Sequence, residues 1–497
     1  MRTAVLSLLL LGCYDPGYGD STHCSPSGEC PTGRTCVSGF CLTSDGPPTS
    51  ADGRPIDAPP TVADGRPIDA PPADARLDGG VTFEVVIAKT AGSTGVGTIS
   101  GRTSGFLCED DCESQALAIP LSQTVMLEAI PGPDSYFLGW SGDCIGIYRR
   151  CSLLVNQAKT VFARFATVNA NLVFVTRDWV TADFGGLTAA DEACRLAAQE
   201  VSLEGKFVAL LAQGAVDLPQ RLVRPGGGLP RGFIRLDGKP IADQVSDLVQ
   251  SHNIWYPVLY DQEGHPAPDE VWTGSTIFGS TSTAQCGQWA VKSTGMLGAI
   301  GLSTGGPTLI NSGAKPCSER AGFACVRVDL IAPLTAPSAA PTAQDRAIWV
   351  TGQLFSPSPA PLFTPDKLCE ASRPGLGSAR ALITVDDEPA SLRISPTARY
   401  VRPDGVVVGT GAQLLSHQLA TGIWVQGNGD PSEAQKVWTG STGISVTGPD
   451  DSCQGWTEEM FGTAIAGVPS VHVLNWWSSD PRVSCDTGSL PVYCVEE

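Results

Sequence analysis

Between residues 81 and 166, apolar and polar positions alternate with period two, most clearly in Thr82-Phe83-Glu84-Val85-Val86-Ile87 and Lys159-Thr160-Val161-Phe162-Ala163-Arg164-Phe165. Such alternation puts one side of a strand against a core and the other in water, and glycines punctuate the runs, so an all-β module is predicted here. After residue 168 the pattern changes. An apolar strand, Val173-Phe174-Val175-Thr176, leads to helical spacing across residues 189–200. A second strand follows at residues 207–211, then a long loop-rich stretch, then a last strand at residues 323–328. The same order returns from residue 346, beginning Ile348-Trp349-Val350-Thr351, so each of these regions reads as an α+β domain. Two stretches have no period. The decapeptide Ala51–Pro60 recurs as Ala63–Pro72 within a Pro/Asp/Ala/Gly segment, and Ala332–Gln344 is rich in Pro, Ala and Thr. Both have too little apolar bulk to bury and read as linkers.

The two α+β regions are copies of one domain. Aligned on Val271-Trp272-Thr273-Gly274-Ser275 and Val437-Trp438-Thr439-Gly440-Ser441, the tryptophan-to-cysteine interval is 14 residues in one and 15 in the other. The next intervals are 31 and 32, then 8 and 9. Cys194 matches Cys369, and a tryptophan follows the second cysteine in both, as Trp289 and Trp456. One cysteine lies on the early helix and another on the last strand, which invites a bridge tying the ends of the domain together. The middle two would pin the loop region. This nested order predicts Cys194–Cys325 with Cys286–Cys317, and Cys369–Cys494 with Cys453–Cys485.

The chain has 17 cysteines. Besides these eight, Cys108, Cys112, Cys144 and Cys151 fall in the β module, with local pairs Cys108–Cys112 and Cys144–Cys151 expected. Cys24, Cys30, Cys36 and Cys41 crowd a segment too short for a core, where crosslinks would supply the stability in an order the sequence leaves open. Zinc sites place ligands in close pairs, which this spacing does not, so disulfides are expected there. Cys13 stands alone after Arg2 and the apolar run Ala4–Leu11, which is too short to span a bilayer.

Three resemblances give these segments names. Leu10-Leu11-Gly12-Cys13 resembles the lipobox of bacterial lipoproteins, which implies cleavage before Cys13 and acylation of its thiol. Phe137-Leu138-Gly139-Trp140-Ser141-Gly142-Asp143-Cys144, with Val161-Phe162-Ala163-Arg164-Phe165, resembles the internalin B-repeat type of surface module, which mostly serves as a stalk. Gly185-Gly186-Leu187-Thr188-Ala189-Ala190-Asp191 with Cys194, Leu203-Glu204-Gly205-Lys206-Phe207-Val208-Ala209 and the Trp-Thr-Gly-Ser segments resemble the endostatin-type domain of the C-type-lectin-like fold. The second copy follows it through Pro403-Asp404-Gly405 and Val492-Tyr493-Cys494-Val495-Glu496 but has Ala360-Pro361-Leu362-Phe363-Thr364-Pro365-Asp366 where the glycines would be. The fold class implied is multi-domain: a small disulfide-rich module, an all-β repeat module, then two α+β C-type-lectin-like domains. The expected boundaries are 1–12 signal peptide, 13–23 lipid-anchored start, 24–42 Cys-rich module, 43–80 linker and 81–167 β stalk. Then come 168–330 first lectin-like domain, 331–345 linker and 346–497 second.

Composition narrows the function. A net charge of -19 argues against nucleic acid and polyanions in general. With 56 glycines and 39 prolines the chain suits loop-rich β modules. No lectin calcium tripeptide occurs, so no cofactor is expected; calcium would need a different set of ligands. Asp110 and Asp111, with Glu109, read as a solvated loop tip. Gly301-Leu302-Ser303-Thr304-Gly305 fits a hydrolase elbow, but Gly306-Pro307 follows where a helix should start, so a loop and no catalytic residue are expected. His252, His265, His417 and His472 read as scattered, with no position shared between copies. Recognition is expected to fall on variable loops 251–269 and 424–433, with Trp255, Tyr256 and Tyr260 as candidate binding residues. The tryptophans Trp272 and Trp438 read as core anchors. The expectation is thus an exported, non-enzymatic protein anchored through acylated Cys13 to a bilayer of the bacterial envelope, at the outer membrane or cell surface. It would recognise a glycan or a surface or matrix protein, with a purely structural envelope role as the alternative.

Overall fold

A computed structural model describes residues 34–37, 40–43 and 81–497, apart from 102–104, 110–111, 338–341, 359–363, 376, 386–387, 448–450, 458–461, 472–473 and 487. The chain divides into two compact units, Met1–Leu77 and Asp78–Glu497. In the first, strands Arg34–Val37 and Phe40–Thr43 pair antiparallel and set Cys36 opposite Cys41. The expected signal peptide, Cys13, Cys24, Cys30 and the duplicated decapeptide lie outside the described residues.

The second unit begins with a β-sandwich. One sheet orders Ser114–Pro120, Thr82–Lys89, Lys159–Thr167 and Ser135–Gly142; the other orders Phe106–Cys108, Gly97–Gly101, Thr124–Pro131 and Arg150–Leu154. The period-two runs cause this directly, because Val85, Ile87, Val161, Ala163 and Phe165 all point into one core with Ile99, Val125 and Leu127 of the facing sheet.

Each copy that follows is a five-stranded sheet with a helix against it and a three-stranded sheet beyond. In the first copy the order is Phe207–Ala209, Ala324–Arg327, Asn171–Val175, Arg231–Arg235, Pro240–Gln244. In the second it is Ala379–Ala381, Tyr493–Glu496, Asp345–Val350, Arg399–Val401, Val407–Thr410. The helices are Leu187–Glu200 and Pro365–Ser372. Each carries an Asp-x-x-Cys sequence with two separate tasks. The cysteine reaches the last strand, as Cys194–Cys325 and Cys369–Cys494. The aspartate accepts the outward N–H of the edge strand: Asp191 from Ala209 and Asp366 from Ala381, both at 2.9 Å.

The middle disulfides are Cys286–Cys317 and Cys453–Cys485, and the β module contains Cys108–Cys112 and Cys144–Cys151. These six are the pairs expected for the described cysteines. The tryptophan after the middle cysteine has a conformational reason. Cys286–Trp289 and Cys453–Trp456 each make one left-handed turn, with φ of 50° to 63° in the first and 49° to 67° in the second. That backbone is costly for L-residues, about 1–2 kcal/mol each, and must be held in place. The disulfide holds one end. At the other, the indoles of Trp289 and Trp456 donate to the buried carbonyls of Ala212 and Thr384, at 3.0 and 2.8 Å. Trp272 and Trp438 are fully buried and donate to Val180 and Phe355.

The sandwich and both copies share one compact unit rather than hanging as separate beads. Arg149 N–H donates to Glu263 O at 3.2 Å, and the Tyr148 ring lies 3.9 Å from His265. Between the copies, Trp424 of the second enters the apolar cluster of the first with Val258, Leu309 and Ile310. Its indole donates to Ile254 O at 3.1 Å. A Cβ on Gly306 would sit 2.3 Å from that ring, so only glycine permits the approach. Even the Pro/Ala/Thr linker is tied down where described: Leu334 N–H donates to Asp243, and Asp345 pairs with Arg399. Among the described residues no helix is long and apolar enough to cross a membrane.

Candidate binding cleft on the second copy

The two loops expected to recognise a ligand touch each other where Ile254 meets Trp424, while Asn428 and Asp430 of the second stay exposed. In the first copy, Arg235 lies at the end of a sheet strand, followed by the turn Leu236-Asp237-Gly238. Its guanidinium donates to Asp237 and to Pro257 O at 3.1 Å, and sits 5.7 and 5.1 Å from the rings of Tyr256 and Tyr260. Tyr256 is buried, and burial raises the pKa of both phenols above the ordinary value. Trp255 is half-buried. The backbone beside it is consumed by the second copy: Arg402 and Trp424 donate to Ile254 O, and Thr421 to Trp255 O at 2.9 Å. Arg402 repeats Arg235, bonding Asp404 and Gly422 O with its charge 4.5 Å from the Trp424 ring. Trp255, Tyr256 and Tyr260 therefore do not form an exposed aromatic platform. The repeated Arg-x-Asp-Gly at 235–238 and 402–405 was the sequence signal for this arginine.

Two histidines also occupy one shared position, contrary to the sequence reading. His252 and His417 each follow a serine after a short helix, with φ of 56° and 57°. Desolvation lowers the pKa of both, and the nearby Glu433 charge opposes this at His252. Neither Nδ1 has a hydrogen-bond partner among the described residues. Ser303 of the Gly-x-Ser-x-Gly loop is buried and donates to Pro268 O at 2.6 Å. Histidine is not among its hydrogen-bond partners. Asp110, Asp111 and His472 lie outside the described residues, and among those described no three His, Cys, Asp or Glu side chains gather as a metal site.

One groove of about 530 Å³ lies on the sandwich beside Asp237, lined by Leu138, Trp140 and Arg164; the concavity in which the two copies differ is on the second copy. A cavity of about 190 Å³ opens beside the edge strand, bounded by Ala347, Ala379, Gly375, Gly377 and Glu496, and is backed by the buried Trp349. It runs past Arg373 and Pro374, which also line a wider groove of about 530 Å³ with Gly352, Gln353, Gln426, Gly427 and Asn428. Glu496 accepts the Ala347 N–H at 3.0 Å. Arg373 is exposed and donates to Gly377 O, and no carboxylate lies within ion-pair distance of it among the described residues. Trp349 donates to Ser372 Oγ at 3.0 Å, so the indole is a wall and not a bare stacking face.

The first copy shows why this space exists. Sheet register equates Phe174 with Trp349, Phe207 with Ala379 and Arg327 with Glu496. In the first copy the Phe207 ring packs 5.4 Å from Phe174, and Leu203 is buried where the second copy has Gly375. The equivalent of the wider groove is bridged as well. Gln262, in the place of Gly427, accepts the Arg177 N–H and donates to Glu200 at 3.0 Å. Glu263, in the place of Asn428, pairs with Arg177 and with Arg150 of the sandwich. Two large-to-small changes and two lost bridging side chains convert a sealed surface into a cleft. Gln426, Gly427 and Asn428 lie in the expected loop 424–433, whereas Arg373 and Ala379 escaped sequence reasoning, although the substitution of alanine for Phe207 is visible once the copies are aligned. No known family profile matches the chain, and no curated protein matches it.

Proposed function

We infer that the chain is a lipid-anchored recognition protein of the bacterial envelope, in which two lectin-like domains of endostatin type have divided their roles. The first, locked between the stalk and its neighbour, is a mount; the second is the head. The observation that carries this is the cleft beside Arg373, kept open in one copy at the place where the other is filled. The lipobox-like Cys13 would provide the anchor and the duplicated linker the spacing, while the six disulfides point to an extracytoplasmic setting. A rigid mount suits recognition because little ordering entropy is lost when a preformed cleft binds.

A structural envelope role is the second reading, favoured by the joining of stalk and heads into one unit. The test is a screen of the exported, oxidised chain carrying Cys13→Ser against bacterial polysaccharides, a glycan panel and matrix proteins, with calcium and with chelator. Saturable binding to one class supports recognition. Retention of the native chain in the wall fraction without binding to any panel supports the structural role.

A further inference from the structure

The cleft's lining is chemically specific enough to name a ligand class, an inference that rests on the recognition reading above. Arg373 is exposed at the mouth of both the narrow and the wide part of the cleft, and no carboxylate among the described residues lies within ion-pair distance of it. Its guanidinium is held at the rim by the bond to Gly377 O, which leaves its remaining donors for a ligand carboxylate. On the wide side stand three amide side chains, Gln353, Gln426 and Asn428, beside two glycines. Asn428 is fixed by Asp430, donating to its carboxylate at 2.6 Å and accepting its backbone N–H at 3.1 Å, which leaves one N–H of its amide for a ligand. Amides both donate and accept, which matches hydroxyls and not a run of charges. On the narrow side the space over Ala347 and Ala379 is small and apolar, and Glu496 supplies an acceptor at its edge. An apolar methyl on an amide, with its N–H toward Glu496, fits that end.

We propose that the cleft binds an N-acylated sugar acid, with its carboxylate on Arg373, its hydroxyls on the amide side and its acyl methyl over Ala379. Such a residue could belong to bacterial wall glycan or to a host-type acidic glycan; the chemistry is common to both. A glycan is favoured over a peptide terminus because the wide side offers neutral amides and no apolar pocket for a side chain.

The test measures binding of N-acetylmuramic acid and N-acetylneuraminic acid glycosides to the full oxidised Cys13→Ser chain, by calorimetry or by ligand-observed NMR. N-acetylglucosamine (no carboxylate) and glucuronic acid (no acyl group) are the controls. Preference for one of the two acids identifies the source. Arg373→Gln is expected to weaken binding about tenfold or more, the worth of a hydrogen bond to a charged group. Ala379→Phe, which places the first copy's residue in the narrow end, should abolish the preference for the acylated sugar, with Ala379→Val as a smaller filling that keeps the test valid where the ring unsettles the fold. Equal binding of N-acetylglucosamine, or affinity unchanged by substitution at both positions, overturns the ligand assignment while leaving recognition standing. Saturable binding of a peptide carboxylate in place of sugar also overturns it. Absence of binding to every panel member removes the recognition reading as well.

Discussion

The two copies hold the same strands in the same order, the same nested disulfides, the same left-handed turn and the same buried Arg-x-Asp pair, yet their surfaces have diverged in opposite senses. In the first, two of its loops have acquired partners. Glu263 and His265 meet the sandwich, and Ile254, Trp255 and Gly306 meet the second copy. In the second, the corresponding places have shed bulk, leaving Ala379, Gly375 and Gly427 around a cleft. On the proposed reading, duplication separates two tasks that one domain performs poorly together, since a surface committed to holding neighbours is lost to ligands.

The sharpest way to break the comparison is to detach the copies. Trp424→Ala removes a buried indole shared by both and should cost about 3–5 kcal/mol. Calorimetry should then show the unfolding of the 78–497 unit splitting into two transitions; a single unshifted transition would mean that the copies never depended on each other. Ala379→Phe makes the second copy resemble the first, and a ring placed beside Trp349 instead of the smaller Phe174 should cost about 1–3 kcal/mol while closing the narrow end of the cleft, read by thermal unfolding. Glu263→Ala tests whether the first copy is sealed by the sandwich. It leaves Arg177 without a carboxylate partner and Arg150 with Glu128 alone, and should cost roughly 1 kcal/mol, modest because both arginines reach solvent. Faster proteolytic cleavage near residue 167 would be the readout. The smallest effect concerns His252 and His417. Their folded pKa values lie below the ordinary 6.5, so both are neutral at higher pH in the folded and unfolded states alike. As pH falls through 6.5 the unfolded chain takes up protons first, and stability declines. The His252→Asn and His417→Asn pair keeps a residue suited to positive φ and should flatten the melting temperature between about pH 7 and about pH 5.

Much of the fold was legible because cysteine and tryptophan spacing records the duplication at points where a shift of even a few residues would break a bridge. Strand and helix positions followed from period, and Asp-x-x-Cys on each helix locates the edge strand as well as the disulfide. The cleft was not legible, for a physical reason. Aromatic residues in a loop suggest a ligand, but Tyr256 and Tyr260 are attractive companions for a buried guanidinium as well. Nothing local distinguishes the two uses. The cleft is written in missing side chains, and absence has meaning only against the filled copy. The shared histidine was equally available from Ser251-His252 and Ser416-His417 and was overlooked because the flanking residues differ.

The aspartates at the edge strands have a consequence for life outside the cytoplasm. A strand at the margin of a sheet offers its outward N–H groups to any extended chain nearby. On a crowded surface, with many tethered molecules side by side, such margins would let neighbours zip together. Asp191 and Asp366 each occupy one such donor, on Ala209 and Ala381, from within the same molecule. The carboxylate at the end of each Asp-x-x-Cys therefore does for neighbouring molecules what its cysteine does for the domain's own ends: it decides which chains stay joined and which stay apart.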